Sequence, residues 1–297
     1  MKDRYENFCD LKDFLDFYYQ GIAVLQDESD YEELAYEYFR QAHSDGIHHA
    51  EIFFDIQAHT CRSIPHSTVV NGLKKGSKRA QESLDITSDM IVCFVRHVDE
   101  SEALREFAAL EKYFDSGEII GIGMDSAEIP FPPENFSRLY ALADKKGLRK
   151  CAHAGEEGPP AYVRTVIDDL KVHRIDHGIR SIDDLELCKE LARRKVPLTV
   201  CPLSNVKLQC IPSLAQSPIP RFLEMGMVIT INSDDPAYFG GYLLDNMLAL
   251  QKEFKWEWKV WETLCSNGIE ASFCSEKRKA ELREVLRKAV MRYHQRD

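Results

Sequence analysis

Apolar residues gather along this chain in short, nearly continuous runs, separated by longer stretches with helical spacing. The runs are HAEIFFD (49–55), MIVCFV (90–95), EIIGIGMD (118–125), RKCAHA (149–154), RIDH (174–177), VPLTVC (196–201) and MVITIN (227–232). Strands covered on both faces read this way, whereas a half-exposed strand alternates apolar and polar positions. Between the runs lie amphipathic segments. Tyr31, Leu34, Ala35, Tyr38, Phe39 and Ala42 recur at helical spacing, and Gly46 follows as a stop. A second helix covers Leu185–Ala192 and ends before Val196-Pro197. A third carries Leu282, Val285, Leu286, Ala289, Val290 and Tyr293, and is expected on the outside of the fold. The runs start at roughly 25–40 residue intervals, close to the length of a strand–helix–strand unit. Such repetition predicts an α/β fold with a parallel sheet, open or closed into a barrel. Seven strands are visible, and a closed (β/α)8 barrel needs eight.

Composition adds little to this picture but narrows the function. The chain has 297 residues, of which 44% are hydrophobic and 29% charged. That suits a globular domain with a full core. No long Gly/Ser/Pro linker divides it, so one domain over residues 1–297 is expected. The formal net charge of −11 disfavours general affinity for nucleic-acid backbones or anionic membranes. Met1–Asp10 is polar and no apolar stretch is long enough to span a bilayer, so a cytoplasmic protein is expected. The nine cysteines are scattered and include no Cys-x-x-Cys pair, which fits reduced thiols.

Four places put polar or metal-capable groups at the C-terminal ends of predicted strands, where α/β folds build active sites. His153 ends one strand, with Glu156 three residues on between Gly155 and Gly158. Asp176 and His177 end another. Asp234 and Asp235 follow a third, and Cys201-Pro202-Leu203-Ser204-Asn205 a fourth. Each has a plainer reading. His153 could be a core histidine, Asp176 could pair with Arg174 or Arg180, and Ser233 or Asp234 could cap the helix that Pro236 opens. The segment after Cys201 reads as a structural strand exit that shapes the pocket. Taken together the sites point to metal-assisted hydrolysis. His153, His177 and Asp234 offer the N and O donors that zinc accepts, and Glu156 is a carboxyl suited to proton transfer. Phosphate-cradling glycine loops, a nucleophile elbow and the Pro-Cys-x-x-Cys zinc signature are all absent.

HAGEEGPP (153–160), RIDHGIR (174–180), VCPLSNVKL (200–208) and NSDDPAYFGGY (232–242) resemble the adenosine/adenine deaminase family, in particular its fungal and bacterial adenine deaminase branch. HAEIFFD (49–55), CFVRH (93–97) and GIGMDSAE (121–128) agree. The resemblance implies a TIM-type (β/α)8 barrel and hydrolysis of adenine to hypoxanthine and ammonia in purine salvage. It also implies one Zn2+ held by His153 and Asp234. Glu156 would protonate a purine nitrogen, and His177 would assist the attacking water. Asp235 and Ser126 would contact the purine edge. The fungal branch adds the nucleus to the expected cytoplasmic location, and the alternatives are an adenosine deaminase or an inactive relative. Oligomeric state is not legible. In the family, the first strand supplies two further zinc ligands as a His-x-His pair. No such pair occurs here, and Tyr5–Gly21 resembles the segment just after that strand. The chain is therefore expected to be open at strands 49–55 and 227–232, and weak in metal affinity, stability and activity.

Overall fold

The computed structural model describes residues 8–295, so the first three residues of the Tyr5–Gly21 segment lie outside it. Seven parallel strands form one curled sheet in sequence order: β1 (His49–Asp55), β2 (Thr87–Val95), β3 (Gly121–Asp125), β4 (Arg149–Ala154), β5 (Arg174–His177), β6 (Pro197–Val200) and β7 (Val228–Ile231). Each coincides with one of the apolar runs. Helices α1 (Leu11–Gly21) and α2 (Glu28–Ser44) precede β1. The crossovers are α3 (His66–Leu84), α4 (Glu100–Ala109), α5 (Ser137–Lys145), α6 (Pro160–Asp168) and α7 (Leu185–Arg194), with short turns of helix before β7. The chain ends in α8 (Leu243–Phe254), α9 (Trp258–Ala271) and α10 (Glu276–His294).

The strands are apolar on both faces because both faces are packed. Met90 to Val95 of β2 are all buried, as are Ile122 and Met124 of β3 and Ile229 to Ile231 of β7. The outward residues meet the helix layer. The inward ones fill the barrel, where Cys93, Gly123 and Cys151 share a layer tight enough that a Cβ on Gly123 would lie 2.5 Å from the Cys93 sulfur. The predicted stripe on α10 is a real helix but buries only Leu282, and Val285, Met291 and Tyr293 are exposed.

β1 and β7 form the two ends of the sheet, each hydrogen-bonded to one neighbouring strand. Helices cover part of these edges, which is one way a sheet avoids presenting open backbone. The Asn267 amide of α9 donates to the Ile229 carbonyl at 3.0 Å, and Arg278 of α10 donates to the His48 carbonyl at 2.7 Å. Within β1, the inward-facing Phe53 stays 37% exposed.

A buried ion pair ties β1 to β5 across the barrel. Arg174 donates to Glu51 at 2.5 Å, both side chains are 7% exposed, and the Phe273 backbone N–H also donates to Glu51. Burial alone would raise the Glu51 pKa, but the Arg174 charge and the hydrogen bonds outweigh it and bring the carboxyl down to about 2. A folded-state pKa below the unfolded value of ~4.3 contributes stability that is complete above that pH and disappears as pH falls toward 2. Glu51→Gln, which leaves the buried Arg174 only the more distant Asp176 carboxylate at 4.0 Å, is expected to cost about 3 kcal/mol at neutral pH. The gap between wild type and variant should narrow between pH 5 and pH 2 in urea unfolding. A gap independent of pH would refute this account.

Candidate active site

The C-terminal ends of β4 to β7 bring the expected residues together. His153 sits within β4, His177 ends β5, and Asp234 and Asp235 follow β7. The His153 and His177 rings are 4.9 Å apart. His177 Nδ1 lies 3.5 Å from a Glu156 oxygen, and its Nε2 lies 3.8 Å from an Asp234 oxygen. Glu156 and His177 are 3% and 1% exposed. Three of the predicted residues hold a left-handed backbone, with φ of 61° at His177, 56° at Asp234 and 72° at Ser126. That conformation is uncommon for a side-chain-bearing residue and costs on the order of 1–3 kcal/mol, a burden found preferentially at functional sites.

Of the plainer readings, the pairing of Asp176 with Arg174 holds, with both side chains buried. Asp235 is the N-cap residue by position before Pro236–Phe239, but no side-chain capping bond forms there. Arg180 turns away to the Cys210 carbonyl, and Asp176 accepts from the Thr199 hydroxyl at 2.9 Å, with the Arg174 Nε at 4.0 Å. Ser126 lies on the other side of the mouth, where its hydroxyl meets His97 Nδ1 at 2.8 Å. It is not among the side chains around Glu156, His177 and Asp234.

Several contributors are under-read or missed in the sequence. Ser204 donates to Asp234 at 2.6 Å, and the Asn205 amide contacts His177 Nδ1 at 3.2 Å, so the strand exit after Cys201 orients two site residues. Arg96 donates to the His153 carbonyl at 2.8 Å. Glu128, fully buried, accepts from the backbone N–H groups of Gly155, Glu156 and Gly158 at 3.0, 2.7 and 3.1 Å. A Cβ on Gly158 would lie 2.0 Å from that carboxylate, so only glycine lets the loop close on it. Asp55 and Asp125 meet across the opposite side of the mouth. Burial raises both carboxyls; Asp125 raises Asp55 further, whereas the hydrogen bond with Asp55 lowers Asp125, so Asp55 is the partner on which the proton is favoured. Helix α1 roofs this end through Phe14 and Tyr18, whose rings pack on Tyr238 and Phe239. The spacing of none of these residues singles them out in sequence.

The electrostatics call for a cation. Among the described residues no Lys or Arg nitrogen lies within 4.0 Å of Glu156 or Asp234, and His177 is the ion-pair partner of both. Burial lowers the His177 pKa against the pull of Asp234, so it faces the acids as a neutral ring. Burial first, then Asp234, pushes Glu156 well above the usual carboxyl range, and Asp235 rises for the same two reasons. The His153 Nδ1 and an Asp176 oxygen, 3.6 Å apart, are buried without hydrogen-bond partners. Imidazole, carboxylate and thiol groups unmatched by fixed positive charge form a donor set that fits zinc. Such an ion would be held by Asp234 with His153, His177 or Cys201 at hand. The sequence alone offers only His153 and Asp234 as firm donors.

Comparison with known proteins bears on what this arrangement does. The family model described as adenosine deaminase matches residues 1–289. The chain is 48% identical over 291 residues to the adenine deaminase of Schizosaccharomyces pombe, covering 97% of this chain and 79% of that protein. The crystal structure of adenine deaminase from Arthrobacter aurescens superposes with a TM-score of 0.94 at 43% identity, over 98% of this chain and 88% of that one. An amidohydrolase from Burkhoderia ambifaria, solved with bound Zn, superposes with a TM-score of 0.84 at 29% identity, over 89% and 74% of the two chains.

The Glu128 brace makes a prediction that is independent of turnover. Hydrogen bonds to a charged group are worth roughly 1.5–3 kcal/mol each. Glu128→Gln retains one acceptor oxygen and sets an amide against the backbone N–H groups. It should therefore lower stability by about 2–4 kcal/mol, read as a shift of the urea midpoint. A shift below ~0.5 kcal/mol, the range of an ordinary surface substitution, would remove Glu128 from this role.

Proposed function

This chain belongs to the adenosine deaminase family, and on that premise we propose that it hydrolyses adenine to hypoxanthine and ammonia. The observation that carries the reading is the convergence of Glu156, His177 and Asp234 from three separate strand exits, with Glu156 held neutral by burial and by Asp234. A carboxyl kept protonated near neutral pH is the group such a reaction needs as acid.

In this reading Glu156 gives its proton to a ring nitrogen of the purine, which withdraws electrons from the amino-bearing carbon. Asp234 and neighbouring imidazole would hold a zinc ion, whose chemistry there would be to lower the pKa of a water molecule toward neutral pH. His177, kept neutral by burial, takes up or steadies the proton of the attacking water. Asp235 holds another purine nitrogen. The carbon gains the water oxygen and loses its amino group as ammonia, so the overall exchange is balanced. The Asp55–Asp125 pair, with the proton favoured on Asp55, offers one donor and one acceptor to the far edge of the base, with Ser126 beside it. The aromatic roof of α1 provides a dry, flat wall for a planar ring. Purine salvage in the cytoplasm and nucleus is the matching cellular role.

A second reading is that the chain keeps the fold of a deaminase without deaminase turnover. Ammonia release from adenine and from adenosine, measured side by side on metal-supplemented protein, separates the two. Turnover of adenine with little of adenosine is expected. Glu156→Gln should lower kcat by about 10²–10⁴-fold, the usual contribution of a general acid. No turnover of either substrate at stoichiometric metal would leave the second reading standing.

A further inference from the structure

A second convergence of donors lies at the opposite end of the barrel from the site above. His49 and Glu51 are two residues apart on β1, and Asp89 stands beside Glu51 on β2, so the three side chains share one face near the strand starts. An imidazole nitrogen of His49 and one oxygen from each carboxylate lie within 4.8 Å of one another. His49 Nε2 is 3.5 Å from Glu51 Oε1 and 3.7 Å from Asp89 Oδ2. The His49 side chain is 7% exposed, and its Nε2 is buried without a hydrogen-bond partner. The reaction proposed above uses none of these three residues.

The hydrogen bonds around His49 set the role of that nitrogen. Thr87 Oγ1 accepts from Arg278 Nε at 3.0 Å, and its own hydrogen is directed to the His48 carbonyl at 3.4 Å. A hydroxyl has one hydrogen and two lone pairs. The lone pair that remains therefore takes the Nδ1–H of His49, at 2.9 Å. Nε2 is then an acceptor, and it points at two further acceptors. Arg174 occupies Glu51 Oε2 and the Phe273 N–H takes one lone pair of Oε1, which leaves Oε1 its second lone pair for this space. Asp89 has no Lys or Arg nitrogen within 4.0 Å among the described residues, and burial raises its carboxyl. Three lone-pair atoms thus meet out of water with nothing positive between them, an arrangement that costs free energy until a cation fills it.

We infer that this is a second metal site, in which His49 Nε2, Glu51 Oε1 and Asp89 Oδ2 hold a divalent cation of the zinc or manganese class. Imidazole with carboxylate oxygens suits those ions. Metal–ligand bonds of about 2.0–2.2 Å set tetrahedral donors roughly 3.3–3.6 Å apart, close to the spacings about Nε2. The bond from Nδ1–H to Thr87 is the outer support that a ligating histidine normally has. Asp89 is 29% exposed, so water reaches the remaining coordination positions. Arg174 already answers part of the Glu51 charge, so the ion here is the weaker of two. Its effect is structural, since this is the end of a barrel where side chains serve stability. β1 is an end strand of the sheet, and an ion bridging it to β2 secures that edge.

Crystals of the unsubstituted protein soaked in Zn2+ and measured at the zinc edge test this without any variant. An anomalous peak is expected between His49, Glu51 and Asp89, separate from any peak at the mouth. In equilibrium dialysis the chain should take up two Zn2+. Asp89→Asn should weaken one of them at least ~10-fold, a loss no smaller than that of an outer support, while Asp234→Asn should retain that same ion. Zn2+ should also raise the urea midpoint of Asp234→Asn, because an ion that binds only the folded chain stabilises it. A map with no peak at the base would overturn the proposal and leave a proton only between His49 and the acids. Two ions held equally well by Asp89→Asn and the unsubstituted chain would overturn it as well.

Discussion

Everything at the mouth of this barrel stems from acidic side chains removed from water without fixed positive partners. Asp55, Asp125, Asp234, Asp235 and Glu156 cluster where seven strands end, and burial drives most of them toward their neutral forms. A site built this way has two ways to lower its free energy: to hold protons or to hold a cation. The division of labour comes from that choice. Burial pushes Glu156 and Asp55 toward their protonated forms, whereas Asp234 accepts from Ser204 and faces the His177 Nε2. Elsewhere in the same barrel, Glu51 has the opposite solution. Arg174 supplies the counter-charge, and the carboxyl stays ionised to low pH.

The framework that holds these groups is stiff and largely hidden from view. Glu128 gathers three backbone N–H groups of the loop after β4, Arg96 clamps the His153 carbonyl, and Asn205 contacts the His177 ring. None of these side chains is placed to react. Each fixes the position of one that is, and that matters because misplacement by about 1 Å is enough to cost a catalytic constellation ~100-fold in rate.

The strands are legible because burial on both faces leaves an unbroken apolar signature, and all seven lie within a few residues of the bounds that signature marks. His153, His177, Asp234 and Asp235 are legible because strand ends are where such folds place chemistry. Cys201 and its neighbours read as structure, since a thiol in an apolar run looks like core until the next strand's carboxylate is seen beside it. Glu128 and Arg96 act at distances of 27 to 57 positions along the chain, and no local pattern encodes that kind of pairing. The apolar stripe on α10 shows the converse limit, in that periodicity identifies the helix but not how little of it is covered.

The left-handed backbone at His177, Asp234 and Ser126 means that the placement of these groups is written into the main chain as much as into the side chains. Free energy is spent on that shape when the protein folds, before any ligand arrives. Transplanting the reactive residues onto another barrel would reproduce their identities but not their aim. A faithful copy would have to carry over each contorted strand exit together with the residue it presents.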